Sequence, residues 1–358
     1  MSTAITPASA EEKEGDPLTL TCTSDGNPVP TFTWSKQGGA GPLPAGSMVQ
    51  IQSLSREDAG TYTCTASNGI GNPQAATSTV DVLYLDTPTI NTTSPVTLEE
   101  GKSTAIQCSA MANPAASFKW RKDGSGDPEV NGNILTLSQV SRDSEGTYTC
   151  EASNTMKGAL ETEEVSVNLV VNYPASVTVS SAMVTVDEND DVSLSCTADS
   201  KPPPTSFTWT DTNGTPLDSQ RDGFTLQATI PDITYQQAGS YTCTASNGVG
   251  DAGTAEVDVI IEYPPKFDHS RDPYPVATGA TVALRCSASA VPNEITFSWS
   301  RDGSPVSDDR FTVTQPAPGA SLLTISGVQV EDYGTYRCTA TNQKGEESDN
   351  IVLQPYDK

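Results

Sequence analysis

Residues 60–71 read GTYTCTASNGIG, and residues 239–250 read GSYTCTASNGVG. Two looser copies, GTYTCEASNTMKG at 146–158 and GTYRCTATNQKG at 334–345, bring the number to four. A motif returning at such intervals marks an array of one module, so the module decides the fold. Within the first copy Tyr62, Cys64 and Ala66 alternate with Thr61, Thr63 and Thr65. Successive side chains of a strand point to opposite faces, which makes one face apolar and built for a core and the other hydroxylated and built for water. Gly60 before the strand suits a chain reversal. Asn68-Gly69 after it predicts a tight hairpin turn with both residues at positive φ.

Every copy has a companion upstream. Cys64, Cys150, Cys243 and Cys338 follow Cys22, Cys108, Cys196 and Cys286 at separations of 42, 42, 47 and 52. Twelve or thirteen residues after each first cysteine stands a tryptophan, Trp34, Trp120, Trp209 or Trp299, and two before each tryptophan a phenylalanine, Phe32, Phe118, Phe207 or Phe297. The F-x-W spacing puts both rings on one face of one strand. Leu20, Ile106, Leu194 and Leu284 two before the first cysteine, with Leu54, Val140, Ile233 and Val328 ten before the second, extend the core set.

Cys, then Trp, then Tyr-x-Cys resembles the immunoglobulin sandwich pattern, here repeated four times over essentially the whole chain. The resemblance implies an all-β fold of four tandem immunoglobulin-like β-sandwiches forming an elongated rod. It implies the disulfides Cys22–Cys64, Cys108–Cys150, Cys196–Cys243 and Cys286–Cys338, with the four tryptophans and Tyr62, Tyr148, Tyr241 and Tyr336 in the cores. A variable-type domain inserts two strands between the tryptophan and the second cysteine. Only thirty positions separate Trp34 from Cys64 and Trp120 from Cys150, so the modules resemble the I-set or C2-set. Breaks at LYLDTP, NYPA and EYPP place the domains at 1–84, 85–172, 173–262 and 263–358, joined by short proline-stiffened junctions.

Of 358 residues, 19 are Lys or Arg and 45 are Asp or Glu, a formal charge of −26. Phosphate binding needs clustered cations, so nucleic acid and anionic membrane surfaces are excluded as partners. With all eight cysteines assigned to pairs, no thiol remains for catalysis or metal binding, and the expected compartment is oxidising and extracellular. Two sequons, Asn91-Thr92-Thr93 and Asn213-Gly214-Thr215, are candidate glycosylation sites. MSTAITPASA lacks the build of a signal peptide, and no apolar run of eighteen exists. The chain therefore reads as part of an ectodomain, of a membrane protein or of a secreted one, with no membrane insertion within it.

The single histidine, His269 in DHSRDP, has no nucleophile motif beside it and reads as a solvated side chain rather than a catalyst. No enzyme and no cofactor are expected. Asp187, Glu188, Asp190 and Asp191 in DENDD read as a solvated turn between strands, with calcium as the alternative ligand. The junctions NYP and EYPP are similar to those of nephrin and Kirrel-type receptors and of hemicentin, and LDTP to those of carcinoembryonic-antigen-like molecules. That resemblance implies a cell-surface adhesion or recognition receptor binding extracellular proteins, itself or another member of the superfamily. The alternatives are a secreted immune recognition protein and a matrix protein. Kirrel-like families bind through the face of the tryptophan strand and the Tyr-x-Cys strand of the first domain. Carried over, that face has Thr33, Ser35, Lys36, Thr61, Thr63 and Thr65 as its outward positions.

Overall fold

The computed structural model describes residues 1–39, 41, 43–127, 129–267 and 273–356, so His269 lies outside the described residues. Two compact units make up the chain, Met1–Asn172 and Tyr173–Lys358. In the first, Thr3–Thr6 pairs with Leu18–Ser24, which pairs with Met48–Ile51, all antiparallel. The facing sheet sets Thr31–Lys36 against Gly60–Ser67 and that strand against Gln74–Leu85. Ser9–Lys13 joins this second sheet in parallel, from Ser9 opposite Thr79 to Lys13 opposite Leu83. Pro7 lies between the two N-terminal strands. It has no N–H to give a ladder, so the chain leaves one sheet there and enters the other, while the Pro7 carbonyl accepts the buried Ser78 hydroxyl at 2.8 Å.

The second sandwich of this unit repeats the plan. Thr104–Ser109 pairs with Ile134–Leu137 and Thr89–Ile90, and Ser117–Lys122 pairs with Gly146–Met156. Val96–Glu99 runs parallel to the strand Ala159–Val179, beginning with Val96 opposite Leu169. In the second unit Met183–Asp187 lies parallel to Gly253–Phe267, and Tyr274–Val276 lies parallel to Gly345–Pro355. Both sandwiches there add an edge strand, Ser219–Asp222 against Thr225–Ile230 and Phe311–Ala317 against Ala320–Ile325. Those additions account for the wider cysteine separations of 47 and 52.

Period-two patterning builds each core. Tyr62, Cys64 and Ala66 are buried between half-buried threonines, and the same alternation recurs in Gly239–Ser246. Each sandwich holds one disulfide, with Cα atoms 6.4, 6.5, 6.6 and 6.5 Å apart in chain order. The tryptophans lie buried among them. Three indoles donate their N–H, Trp34 to the Gly46 carbonyl at 2.9 Å, Trp209 to the Leu226 carbonyl at 3.3 Å and Trp299 to the Ser321 hydroxyl at 2.9 Å. The buried Trp120 Nε1 has no partner among the described residues.

The four tyrosines close the base of each core. Tyr62, Tyr148, Tyr241 and Tyr336 donate their hydroxyls to the carbonyls of Asp58, Ser144, Gln237 and Asp332, at 3.0, 2.8, 2.8 and 2.9 Å. Each acceptor ends a single 3₁₀ turn, and burial, which disfavours the phenolate, pushes the pKa of each phenol up. Gly60, Gly146, Gly239 and Gly334 start the following strands at φ between +135 and +144, a region that side chains resist. The expected two-residue hairpin after the strand is not what forms. Asn68 and Asn247 are absent from the positive-φ set, and only the glycines, Gly69 at +78 and Gly248 at +79, adopt it. The loop is longer, the next strand resuming at Gln74. The Asn68 Oδ1 shapes it by accepting the Ile70 amide at 3.1 Å.

The asparagine four places after the second cysteine acts as a clamp. Asn154 Nδ2 donates to the carbonyls of Tyr84 at 3.1 Å and Pro114 at 3.0 Å. Asn247 does the same to Tyr173 and Pro202, at 2.8 and 3.1 Å, and Asn342 to Tyr263 and Pro292, at 3.0 and 3.1 Å. In each case the tyrosine belongs to the chain entering the sandwich and the proline to the loop before its tryptophan strand.

Truncation of the indole in Trp209→Ala should cost about 3–5 kcal/mol through the cavity left beside its disulfide. Chemical denaturation measures it, and an unchanged midpoint would mean the ring supports nothing. Asn154→Ala removes the donor that Asn154 supplies to the Tyr84 and Pro114 carbonyls and should cost about 1–3 kcal/mol. Amide exchange should quicken across the pairing of Tyr84 with Asn113, and unaltered exchange there would show the clamp to be idle.

Candidate recognition surface

The outward side of the first sandwich's second sheet, the one that holds Thr31–Lys36, Gly60–Ser67 and Gln74–Leu85, is built by register. Thr33 stands opposite Thr65 and Ser35 opposite Thr63. On the other flank Thr61 stands opposite Thr79, Thr63 opposite Thr77 and Thr65 opposite Ala75. The structure thus brings five of the six expected positions onto one face, and adds Thr77 and Thr79. Their signal lay in QAATSTVDV, where Val80 and Val82 turned to the core oblige Thr77 and Thr79 to turn out.

Lys36 is a correction. The same alternation that turns Trp34 inward turns Lys36 inward, two residues on. Its ammonium donates to the Glu57 carbonyl and sits 5.7 Å from the centre of the Tyr62 ring, covering the end of the core. Without it, the paired positions Thr33, Ser35, Thr61, Thr63, Thr65, Thr77 and Thr79 carry hydroxyls and methyls and no charge, and the carboxylates of Asp81 and Glu11 stand opposite each other at the margin. The matching layer of the second sandwich is different. There Lys119 pairs with Glu151 at 3.2 Å, and Arg121 grips Glu164 through two bonds of 2.7 and 3.0 Å. The Arg121 guanidinium holds the Glu164 carboxyl below its ordinary pKa.

The DENDD carboxylates do not converge. Asp187 and Glu262 both take Lys344, at 2.5 and 2.6 Å, and Asp187 first, then Glu262, raises the pKa of that ammonium. Glu188 takes Lys266 at 3.2 Å, and Asp191 accepts the Asp232 amide at 3.1 Å. No group of three or more metal-ligating side chains gathers among the described residues. The equivalent turn of the first sandwich is likewise paired, Glu12 with Lys157 at 2.5 Å and Lys13 with Glu161. Beside it Arg56 joins Glu14 and Asp86 and lies 3.8 Å from the centre of the Tyr84 ring.

Of the two sequons, Asn91 is exposed but its Oδ1 accepts the Gln107 amide at 2.9 Å. Asn213 is exposed on a turn where the Asp211 carboxylate accepts the amides of Thr215 and Asn213, each at 2.8 Å, and those bonds lower the Asp211 pKa. No helix among the described residues is long and apolar enough to cross a membrane.

Comparison with known proteins agrees with this architecture. The family model described as immunoglobulin domain matches residues 3–68, 87–154 and 174–247, and that described as immunoglobulin I-set domain matches 265–354. MAM domain-containing glycosylphosphatidylinositol anchor protein 2 of Homo sapiens is 30% identical, over 94% of this chain and 39% of that protein. Hemicentin-1 of Homo sapiens is 31% identical over 95% of this chain and 6% of its own length. The chain thus spans well under half of either relative. A solved structure, Dpr2 Ig1-Ig2 in complex with DIP-Theta Ig1-Ig3, superposes with a TM-score of 0.51 at 22% identity, covering 75% of this chain and 99% of that one. Four disulfide-centred sandwiches, each matched by an immunoglobulin model, place this chain in the immunoglobulin superfamily.

Proposed function

We propose that this chain is an extracellular recognition segment that binds protein partners, itself or another immunoglobulin-type protein, through the threonine-rich face of its first sandwich. The observation that carries this reading is the uncharged patch formed by Thr33, Ser35, Thr61, Thr63, Thr65, Thr77 and Thr79 in a chain of net charge −26, with Glu11 and Asp81 at its margin. Two strongly acidic molecules repel each other over a Debye length of about 8 Å at physiological salt, so a contact forms most readily where neither presents carboxylates. Threonine supplies both a methyl to desolvate and a hydroxyl to pair, at small entropic cost because its χ1 is already stiff. The superposed complex of Dpr2 with DIP-Theta has a partner of the proposed kind.

The same face lacks the tryptophan, tyrosine and arginine anchors that dominate tight interfaces. Binding by one copy is therefore weak, and its strength comes from display in number, which raises avidity by about 10²–10⁴ with no new contact. Adhesion between surfaces is the activity that suits such a contact.

Beads coated densely with the chain should aggregate, or should capture an immunoglobulin-type protein, and added salt should strengthen self-binding by screening the net charge. Thr33→Glu, on an exposed position, should weaken that contact roughly tenfold or more while changing stability by less than about 0.5 kcal/mol. Beads that neither aggregate nor capture, or a Thr33→Glu chain that binds as well as the parent, would count against this face.

A further inference from the structure

The eight residues Tyr62–Gly69 and Tyr241–Gly248 are identical, YTCTASNG. Their local geometry is matched too. Each asparagine Oδ1 accepts the amide two residues on, Ile70 at 3.1 Å and Val249 at 3.2 Å, and the glycines share φ of +78 and +79. What differs is the carboxamide nitrogen. Asn247 is 5% exposed, and its Nδ2 is held by the Tyr173 and Pro202 carbonyls. Asn68 is half-buried, and its Nδ2 has no hydrogen-bond partner among the described residues. Its neighbour Ile70 is 67% exposed, whereas Val249 at the same place in the other copy is half-buried.

An asparagine followed by glycine reacts with its own chain because glycine has no side chain to hinder approach to the asparagine Cγ. In mildly alkaline solution the glycine amide loses its proton and the nitrogen attacks Cγ. An N–C bond forms, the Cγ–Nδ2 bond breaks, and Nδ2 departs with a proton as ammonia. Water then opens the cyclic imide at either carbonyl, leaving aspartate or isoaspartate. No oxidant or reductant enters. For Asn247 the attack first requires the carboxamide to leave two hydrogen bonds in a buried site, and for Asn68 it does not.

We propose that Asn68 is a self-modification site of this chain, converted to aspartate and isoaspartate, while Asn247 in the same octapeptide is preserved by its clamp. The change places a new carboxylate, and in the isoaspartyl form an additional backbone methylene, in the loop next to Thr65 and Ser67. The other Asn-Gly pairs, 131–132 and 213–214, lie in different local sequences and form no part of the comparison.

The test incubates the full folded chain at mildly alkaline pH and follows the peptides containing Asn68 and Asn247 by mass spectrometry, with isoaspartate resolved chromatographically. Asn68 should convert roughly tenfold or more faster than Asn247, the factor expected from two hydrogen bonds. A reduced, alkylated and denatured sample should erase the difference, because the local sequences are the same. Equal folded rates, or a faster Asn247, would overturn the proposal. So would a difference that persists after denaturation, since it would not arise from the clamp.

Discussion

A disulfide laid across two sheets with an indole against it sets the conditions for everything else in each module. Modules of about ninety residues bury too little surface to stand securely on packing alone, and a cross-link closing a loop of 42 to 52 residues removes entropy from the unfolded chain. Once the two cysteine strands are tied, the tryptophan strand is held by its ring and the tyrosine by its hydroxyl. The outward residues of those strands are then presented at fixed spacing whatever their identity. That freedom lets one layer carry a patch of hydroxyls in the first sandwich and a lysine, an arginine and two glutamates in the second.

The same core leaves the joints to polar chemistry. Asn154, Asn247 and Asn342 hold the entering chain by its carbonyl, a group every residue has, so the joint tolerates change in the residue that occupies it. Cations are few, 19 in all, and several sit where one module's acidic turn meets its neighbour: Lys157 beside Glu12 in the first unit, Lys266 and Lys344 beside the DENDD turn in the second. Exposed pairs of this kind contribute at most about 1 kcal/mol each. Their main effect is to relieve repulsion that would otherwise open the joints.

Strand periodicity made the fold legible from four repeated patterns alone, because alternation, cysteine spacing and the tryptophan all pointed to one sandwich. It also made most of the outward face legible. Lys36 was misplaced because a polar residue at a strand end looks solvent-bound, although strict alternation from Trp34 puts it inward over Tyr62. The Asn68 turn was misjudged because Asn-Gly favours a two-residue hairpin only where the strands reach it, and here the return strand starts at Gln74. The pairing of DENDD with Lys266 and Lys344 could not be read locally, since Lys344 lies 157 residues away. A charge run carries no record of a partner that distant.

The parallel pairing of first and last strands has a mechanical consequence. When a sandwich is pulled at its two ends, force enters through the early strand and leaves through the late one. In the first sandwich these are Ser9–Lys13 and Gln74–Leu85, side by side in the same direction over five consecutive residue pairs. Parallel neighbours drawn toward opposite ends slide along each other, so the bonds of the ladder share the load and must yield together. An antiparallel pair at the termini would instead peel open one rung at a time. The same arrangement recurs in all four modules, through Val96–Glu99, Met183–Asp187 and Tyr274–Val276. Forced opening follows the rate of unfolding rather than its equilibrium. A chain built of such modules is thereby fitted to bear tension along its length, and the disulfide in each module caps how far any one of them can extend.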